Sequence, residues 1–188
     1  CLSANDTGVR YRSLETVLAE IDFFLREDFP LVKFVDRTFN LDPARYLAIW
    51  RYIRDRYNGK TTFHFEIAGE GLTDEAFAVL EGMPRGAVQF EVGIQSTNPE
   101  TLRAVRRAGD TGALFGKIRR IPRSIHVHVD LIAGLPGEGL VRFGRSFDEV
   151  WSLGADMLQL GFLKVLPGAP MEAIARGLAG YRWSDHPP

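Results

Sequence analysis

Five times along this chain a run of strand-forming residues gives way to a helical or turn segment, and no two-residue hairpin signal joins any pair of runs. The runs are 31–35, 62–67, 87–94, 125–133 and 157–165. Strands that cannot turn back on a tight hairpin must be joined by longer crossovers, usually helices, and so lie parallel. The helix signals between them agree. Ser13 opens a segment with Leu14, Val17, Leu18, Ile21, Phe24 and Leu25 at helical spacing. Asp42-Pro43 and Asn98-Pro99 each join a capping side chain to a proline at the first turn, and Thr73-Asp74-Glu75 starts a shorter helix. Further helices are expected near 113–120 and 141–153. No glycine-rich fingerprint follows a first strand, so a barrel or part-barrel is favoured over an open dinucleotide-binding sheet.

The stretch 125–138, I-H-V-H-V-D-L-I-A-G-L-P-G-E, organises the rest. It alternates His126 and His128 with valines, becomes apolar at 131–133, and is broken by Gly134-Leu135-Pro136-Gly137. In parallel α/β sheets ligands sit at the carboxyl ends of strands. Asp130 and the bare backbone of Gly134 would face a bound molecule there.

A chain of 188 residues fits one domain with an adequate core. Its net charge of −1 offers no basic sheath for nucleic acid and no cationic helix for a membrane surface. No run is long and apolar enough to cross a bilayer. The single cysteine, Cys1, allows no internal disulfide, so a reducing, cytoplasmic setting is expected. A natural chain rarely starts with Cys, and an excised piece of something longer is expected.

If the strands are parallel, Asp36, Glu66, Gln95, Ser96, the 130–138 segment and Lys164 gather on one rim, as a polar substrate or cofactor requires. Each has a plainer reading, since polarity resumes wherever a strand ends; it is their number that favours a site. His126 and His128 stand at the opposite end of their strand with no third ligand at metal spacing, and read as structural or core histidines. Glu91, inside a strand, is expected to pair with a neighbouring strand. Phe23, Phe24, Trp50, Phe63 and Phe90 have core spacing. Arg103, Arg106 and Arg107 read as a solvated face from which one arginine reaches a rim carboxylate.

Five motifs in order carry a resemblance: V-K-F-V-D-R-T-F-N at 32–40, F-H-F-E-I at 63–67, Q-F-E-V-G-I-Q-S-T-N-P-E-T-L at 89–102, D-L-I-A-G-L-P-G-E at 130–138, and L-Q-L-G-F-L-K-V-L-P-G at 158–168. Together they resemble the radical S-adenosylmethionine (SAM) enzymes. The branch is the one with an N-terminal cobalamin-binding domain, which includes methyltransferase-like proteins and the anaerobic magnesium-protoporphyrin monomethyl ester oxidative cyclase. The resemblance implies a (β/α)6 partial barrel, of which residues 1–188 would be the core without its first strand. It also implies a 4Fe-4S cluster on a C-x3-C-x2-C loop. Cys1 then resembles the third cysteine, with two more expected three and seven positions upstream. One thiolate cannot replace three, so this chain alone is expected to be inactive.

Position by position, the resemblance implies that Asp36 and Glu66 meet the SAM amino group, although the family's glycine pair is missing beside Asp36. Gln95, followed by Ser96, matches the ribose-binding glutamine. Arg107 has the spacing of the arginine that grips the methionine carboxylate, and Asp130 resembles the acid near the ribose hydroxyls. Ala133, Gly134 and Leu135 would lie along the adenine. An amine, a carboxylate, a diol and a flat base call for acids, an arginine, hydrogen-bonding groups and an apolar wall. Family members cleave SAM reductively to a 5′-deoxyadenosyl radical. The implied partners are a small-molecule substrate and a reducing electron donor, with neither nucleic acid nor membrane. Two other readings stand beside this one. One is a conventional barrel hydrolase or aldolase working through Asp36, Glu66 and Lys164; the other is a non-catalytic barrel scaffold.

Overall fold

The computed structural model describes residues 8–107 and 109–177. The caps fall where side-chain chemistry demands. Ser13 Oγ accepts from the Thr16 amide at 3.1 Å and starts helix α1, Leu14–Arg26. The Asp42 carboxylate accepts from the Arg45 amide, and Pro43 occupies the first turn of α2, Pro43–Arg56. Thr73 caps α3, Asp74–Glu81, and Asn98 caps α4, Pro99–Ala104. Asp110 caps α5, Thr111–Arg120, while α6 spans Leu140–Trp151. The α4 helix is shorter than its pattern suggests, because Arg106 adopts a left-handed φ of +58° that a helix cannot continue through. A short α7, Pro170–Arg176, was not foreseen from the sequence.

The strands are β1 (Leu31–Lys33), β2 (Thr62–Ile67), β3 (Val88–Gln95), β4 (His126–Ala133) and β5 (Met157–Phe162). All four pairings are parallel and the order is β1-β2-β3-β4-β5, so each α-helical crossover returns the chain to the next position along one sheet. The sheet curls into a half-barrel with its helices outside, the α/β part-barrel expected from the alternation. Two strands stop early. After Lys33 the chain leaves the sheet and Val35 is fully solvated, and β5 ends at Phe162 rather than near 165.

The two faces of the sheet differ in chemistry. The helix-facing residues Phe63, Phe65, Ile67, Val88, Phe90, Val92, Val129 and Leu131 are buried in one apolar core. Trp50 of α2 seats its ring 5.1 Å from Phe90 and 6.2 Å from Phe65, fixing α2 against β2 and β3. Phe23, read as core, lies instead on the outer side of α1 against Phe24 and Phe29, because that helix has its buried stripe at Val17, Ile21 and Leu25. Among the described residues, no helix is long and apolar enough to cross a membrane.

Candidate functional site

The carboxyl end of β3 carries an irregularity that shapes the rim. Gly93 pairs with Asp130 and Gln95 with Leu131, so Ile94 is an extra residue in β3, and Gln95 takes a left-handed φ of +68°. Asp130 holds the bulge, accepting from the Ile94 amide at 3.0 Å. Arg107 reaches back from the segment after α4 to donate to the Gly93 carbonyl. A Cβ at Gly93 would stand 3.3 Å from Asp130 Oδ1 and 3.6 Å from the Arg107 guanidinium, so the missing side chain lets both groups converge.

Two carboxylates share this region. Burial pushes the Asp130 carboxyl above the usual carboxylate range, opposed by the Ile94 amide and the Arg107 charge. Burial also raises Glu66, and Glu91 and Asp130 add to the rise. Acids displaced in this direction gain from a cationic or donor-rich ligand.

Behind the rim lies a polar clamp. Glu138 Oε1 accepts from Ser96 Oγ at 2.7 Å and from Ser146 Oγ of α6 at 2.8 Å. Ser96 Oγ also accepts the Asn98 amide, and Ser146 Oγ accepts the Thr97 amide. The carboxylate thus ties the end of β3, the β4–α6 loop and α6 into one unit. On the other side, Asn40 exchanges two 2.8 Å hydrogen bonds with the backbone of Ala68, locking the loop after β1 to the end of β2.

The concave face of the half-barrel is polar in three cross-strand rows. Lys33, His64, Gln89 and His126 are register partners in the lowest row. Glu66, Glu91, His128 and Met157 make the middle row, and Gly93, Asp130 and Gln159 the upper one. Glu91 accepts from His64 Nε2 at 3.1 Å and lies 3.5 Å from Lys33 Nζ. Gln89 Nε2 donates to His64 Nδ1 at 2.7 Å, so the His64 proton sits on Nε2. Burial and the Lys33 charge lower the His64 pKa, in keeping with a neutral ring. The Nε2 atom of His128 is buried without a hydrogen-bond partner.

The structure thus brings Arg107 and Asp130 together around Gly93, with Gln95 two residues on at the end of β3 and Glu66 within electrostatic range of Asp130. Gly134 follows β4 with φ +87°, between Ala133 and a buried Leu135. Ser96 is fully buried with its hydroxyl engaged by Glu138, so it acts through the clamp rather than facing outward. Asp36 and Lys164 are exposed, and Cys1 lies outside the described residues. His126 is exposed and His128 half-buried, and both lie on the concave face, because the valines beside them take the helix-facing positions. Glu91 does pair across strands, and Arg107 is the arginine of its trio that turns inward. Among the described residues no three His, Cys, Asp or Glu side chains are grouped to hold a metal ion. Sequence reasoning assigned nothing to Lys33, His64 or Asn40. The signal for His64 was present in the alternation of β2, where polar residues fall on the face away from the helices.

Residues 3–150 match the model of the Radical SAM superfamily. The chain belongs to the radical SAM superfamily. A tRNA-2-methylthio-N(6)-dimethylallyladenosine synthase from Buchnera aphidicola subsp. Baizongia pistaciae is 23% identical over 146 residues, covering 73% of this chain and 32% of that protein. The ribosomal protein uS12 methylthiotransferase RimO of Syntrophus aciditrophicus is 30% identical over 110 residues, 56% of this chain and 24% of its own. Among solved structures, the radical SAM methyltransferase TsrM from Kitasatospora setae, with cobalamin and a [4Fe-4S] cluster bound, superposes with a TM-score of 0.76 at 22% identity over 98% of this chain and 35% of that one. Coproporphyrinogen III oxidase from Escherichia coli gives 0.63 at 19% identity, over 89% of this chain and 42% of the other. The chain therefore spans about a third of the curated synthase it matches. Members of the radical SAM superfamily are enzymes built on SAM and an iron–sulfur cluster. The two requirements fare differently here. A carboxylate and an arginine that converge on a bare glycine backbone suit the charged ends of SAM. A 4Fe-4S cluster takes several thiolates, and Cys1 alone does not suffice to hold one.

Proposed function

We propose that this chain is the SAM-binding core of a methyl-transferring radical SAM enzyme that uses cobalamin. The observation that carries the reading is the convergence of Asp130 and Arg107 on Gly93 at the β3 bulge, with Gln95 two residues on at the end of the same strand. Arg107 supplies a cation for the methionine carboxylate, while Glu66 and Asp36 supply charge for the amine. Asp130 and Gln95 supply hydrogen bonds for the ribose, and Ala133, Gly134 and Leu135 a surface for the adenine. Bound SAM supplies the radical chemistry, and the protein's part is binding, orientation and exclusion of side reactions. The remaining cluster ligands, an upstream cobalamin-binding domain, a reducing electron donor and a small-molecule substrate complete the proposal, in a cytoplasmic setting.

Methyl transfer is favoured over oxidative ring closure for two reasons. The curated relatives named above are methylthiotransferase-type proteins, and the TsrM structure is a methyltransferase with cobalamin bound. The test is anaerobic reconstitution of the full-length protein, followed by titration with SAM and with cobalamin. The expected result is iron–sulfur absorbance, SAM binding that weakens at least tenfold in Asp130→Asn and Arg107→Met, and cobalamin bound in stoichiometric amount. Absence of SAM binding by the reconstituted protein overturns the reading.

A further inference from the structure

Below the rim, the two lower rows of the concave face hold, Glu66 apart, side chains that the SAM site does not use. Lys33 and Glu91 form an opposed charge pair at 3.5 Å, with the lysine side chain more than half exposed. Such an open pair contributes little to stability, roughly 0–1 kcal/mol. The structure nevertheless takes trouble to fix it. His64 is 6% exposed and both its ring nitrogens are occupied, one by Gln89 and one by Glu91. A neutral His64 that donates from Nε2 holds the Glu91 carboxylate in one orientation. Beside it, His128 is the register partner of Glu91 on β4, and its buried Nε2 has no hydrogen-bond partner. A buried polar atom left unpaired costs free energy unless something comes to meet it. Among the described residues, these three rows contain no Phe, Tyr or Trp and so offer no stacking platform for a flat apolar macrocycle.

We propose that Lys33, Glu91 and His128 form a substrate subsite inside the half-barrel that takes a zwitterionic group of the α-amino-acid type. Its ammonium lies on Glu91, and its carboxylate is held by Lys33 and His128. Neither charge of such a group could enter the barrel alone without a counter-charge, and here an anion and a cation already stand side by side. His64 is a positioning residue that acts through Glu91. The proposal deepens the SAM-dependent reading and rests on it for the reaction, although the subsite is built from different side chains.

The test uses the full-length protein, reconstituted anaerobically, titrated separately with SAM, with L-tryptophan, L-lysine and L-glutamate, and with magnesium protoporphyrin. At least one amino acid is expected to bind with a Kd below about 1 mM, which corresponds to about 4 kcal/mol. Glu91→Gln and Lys33→Met are each expected to weaken it at least tenfold while SAM affinity stays within twofold of wild type. His64→Phe should lower amino-acid affinity and change its pH profile, whereas His64→Gln, which can still donate to Glu91, should restore much of it. If no amino acid binds, if binding ignores Glu91→Gln, or if only the porphyrin binds, the subsite proposal is overturned. Failure to bind SAM, with amino-acid binding intact, overturns the proposed function and leaves the subsite standing.

Discussion

The Asp130 carboxylate accepts the Ile94 amide of the neighbouring strand at 3.0 Å, beside the same Gly93 that Arg107 approaches. The bond satisfies a backbone donor that the bulge removes from the ladder, and it sets the direction in which Gln95 leaves the sheet. Structure and binding chemistry therefore meet in one side chain, and substitutions can separate them.

Asp130→Ala leaves the Ile94 amide unpartnered and is expected to cost about 1–3 kcal/mol. Asp130→Asn keeps an acceptor and should cost less than about 1 kcal/mol, while removing the charge beside Arg107. Urea unfolding of both variants checks this, and equal losses would refute it.

Gln95 holds a conformation that costs a side-chain-bearing residue about 1–2 kcal/mol. Gln95→Gly relieves that strain but adds freedom to the unfolded chain, so stability should hold or rise by up to about 1 kcal/mol. SAM affinity should fall in the same variant. A stabilised protein with unaltered SAM affinity would mean that Gln95 has no part in binding.

Gly93→Ala puts a methyl group against Asp130 Oδ1 at 3.3 Å and the Arg107 guanidinium at 3.6 Å. Overpacking of this kind costs about 1–3 kcal/mol. SAM titration should show a loss of affinity larger than that of Gly116→Ala, where an added Cβ meets nothing within 4 Å.

Glu66 sets the sign of a pH effect. Its folded carboxyl is raised above the ordinary 4.5 by burial, then by Glu91 and Asp130. Between the ordinary value and the raised one the folded state binds the proton more tightly. Stability from this group is therefore full below 4.5 and declines as pH rises through the folded pKa. Glu66→Gln should accordingly melt higher than wild type at neutral pH, with the gap closing as pH falls below the carboxylate range. A gap that widens on acidification would contradict the burial argument.

Glu138→Ala strips the shared acceptor from Ser96 and Ser146, both fully buried, and should cost about 2–3 kcal/mol. Glu138→Gln keeps an acceptor oxygen and should cost less. Thermal unfolding ranks the two.

The strand-and-helix order was legible because each element carries its own local signal. Thr62–Ile67 is a strand with the expected bounds, and Ser13, Asp42, Thr73 and Asn98 cap the helices they begin. The rim positions of Gln95, Arg107 and Asp130 were also legible, since parallel strands deliver their ends to one side. Their mutual geometry was not. A bulge is a mismatch between two strands, and nothing within the β3 sequence reveals that Ile94 is the extra residue. The clamp on Glu138 was hidden for a similar reason, because its partner Ser146 sits on α6 and has no motif of its own. The side of the sheet that His128 occupies was not legible either, because it follows from which neighbours of the strand meet the helices.

The alternation of β2, β3 and β4 between apolar and polar faces makes sequence neighbours answer to unrelated demands. Phe65 and Phe90 can be exchanged only for residues of similar bulk, whereas Glu66 and Glu91 answer to charge and hydrogen bonding across the concave face. Divergence along these strands should therefore be interleaved, one comb of positions recording the fold's ancestry and the other recording changes of substrate.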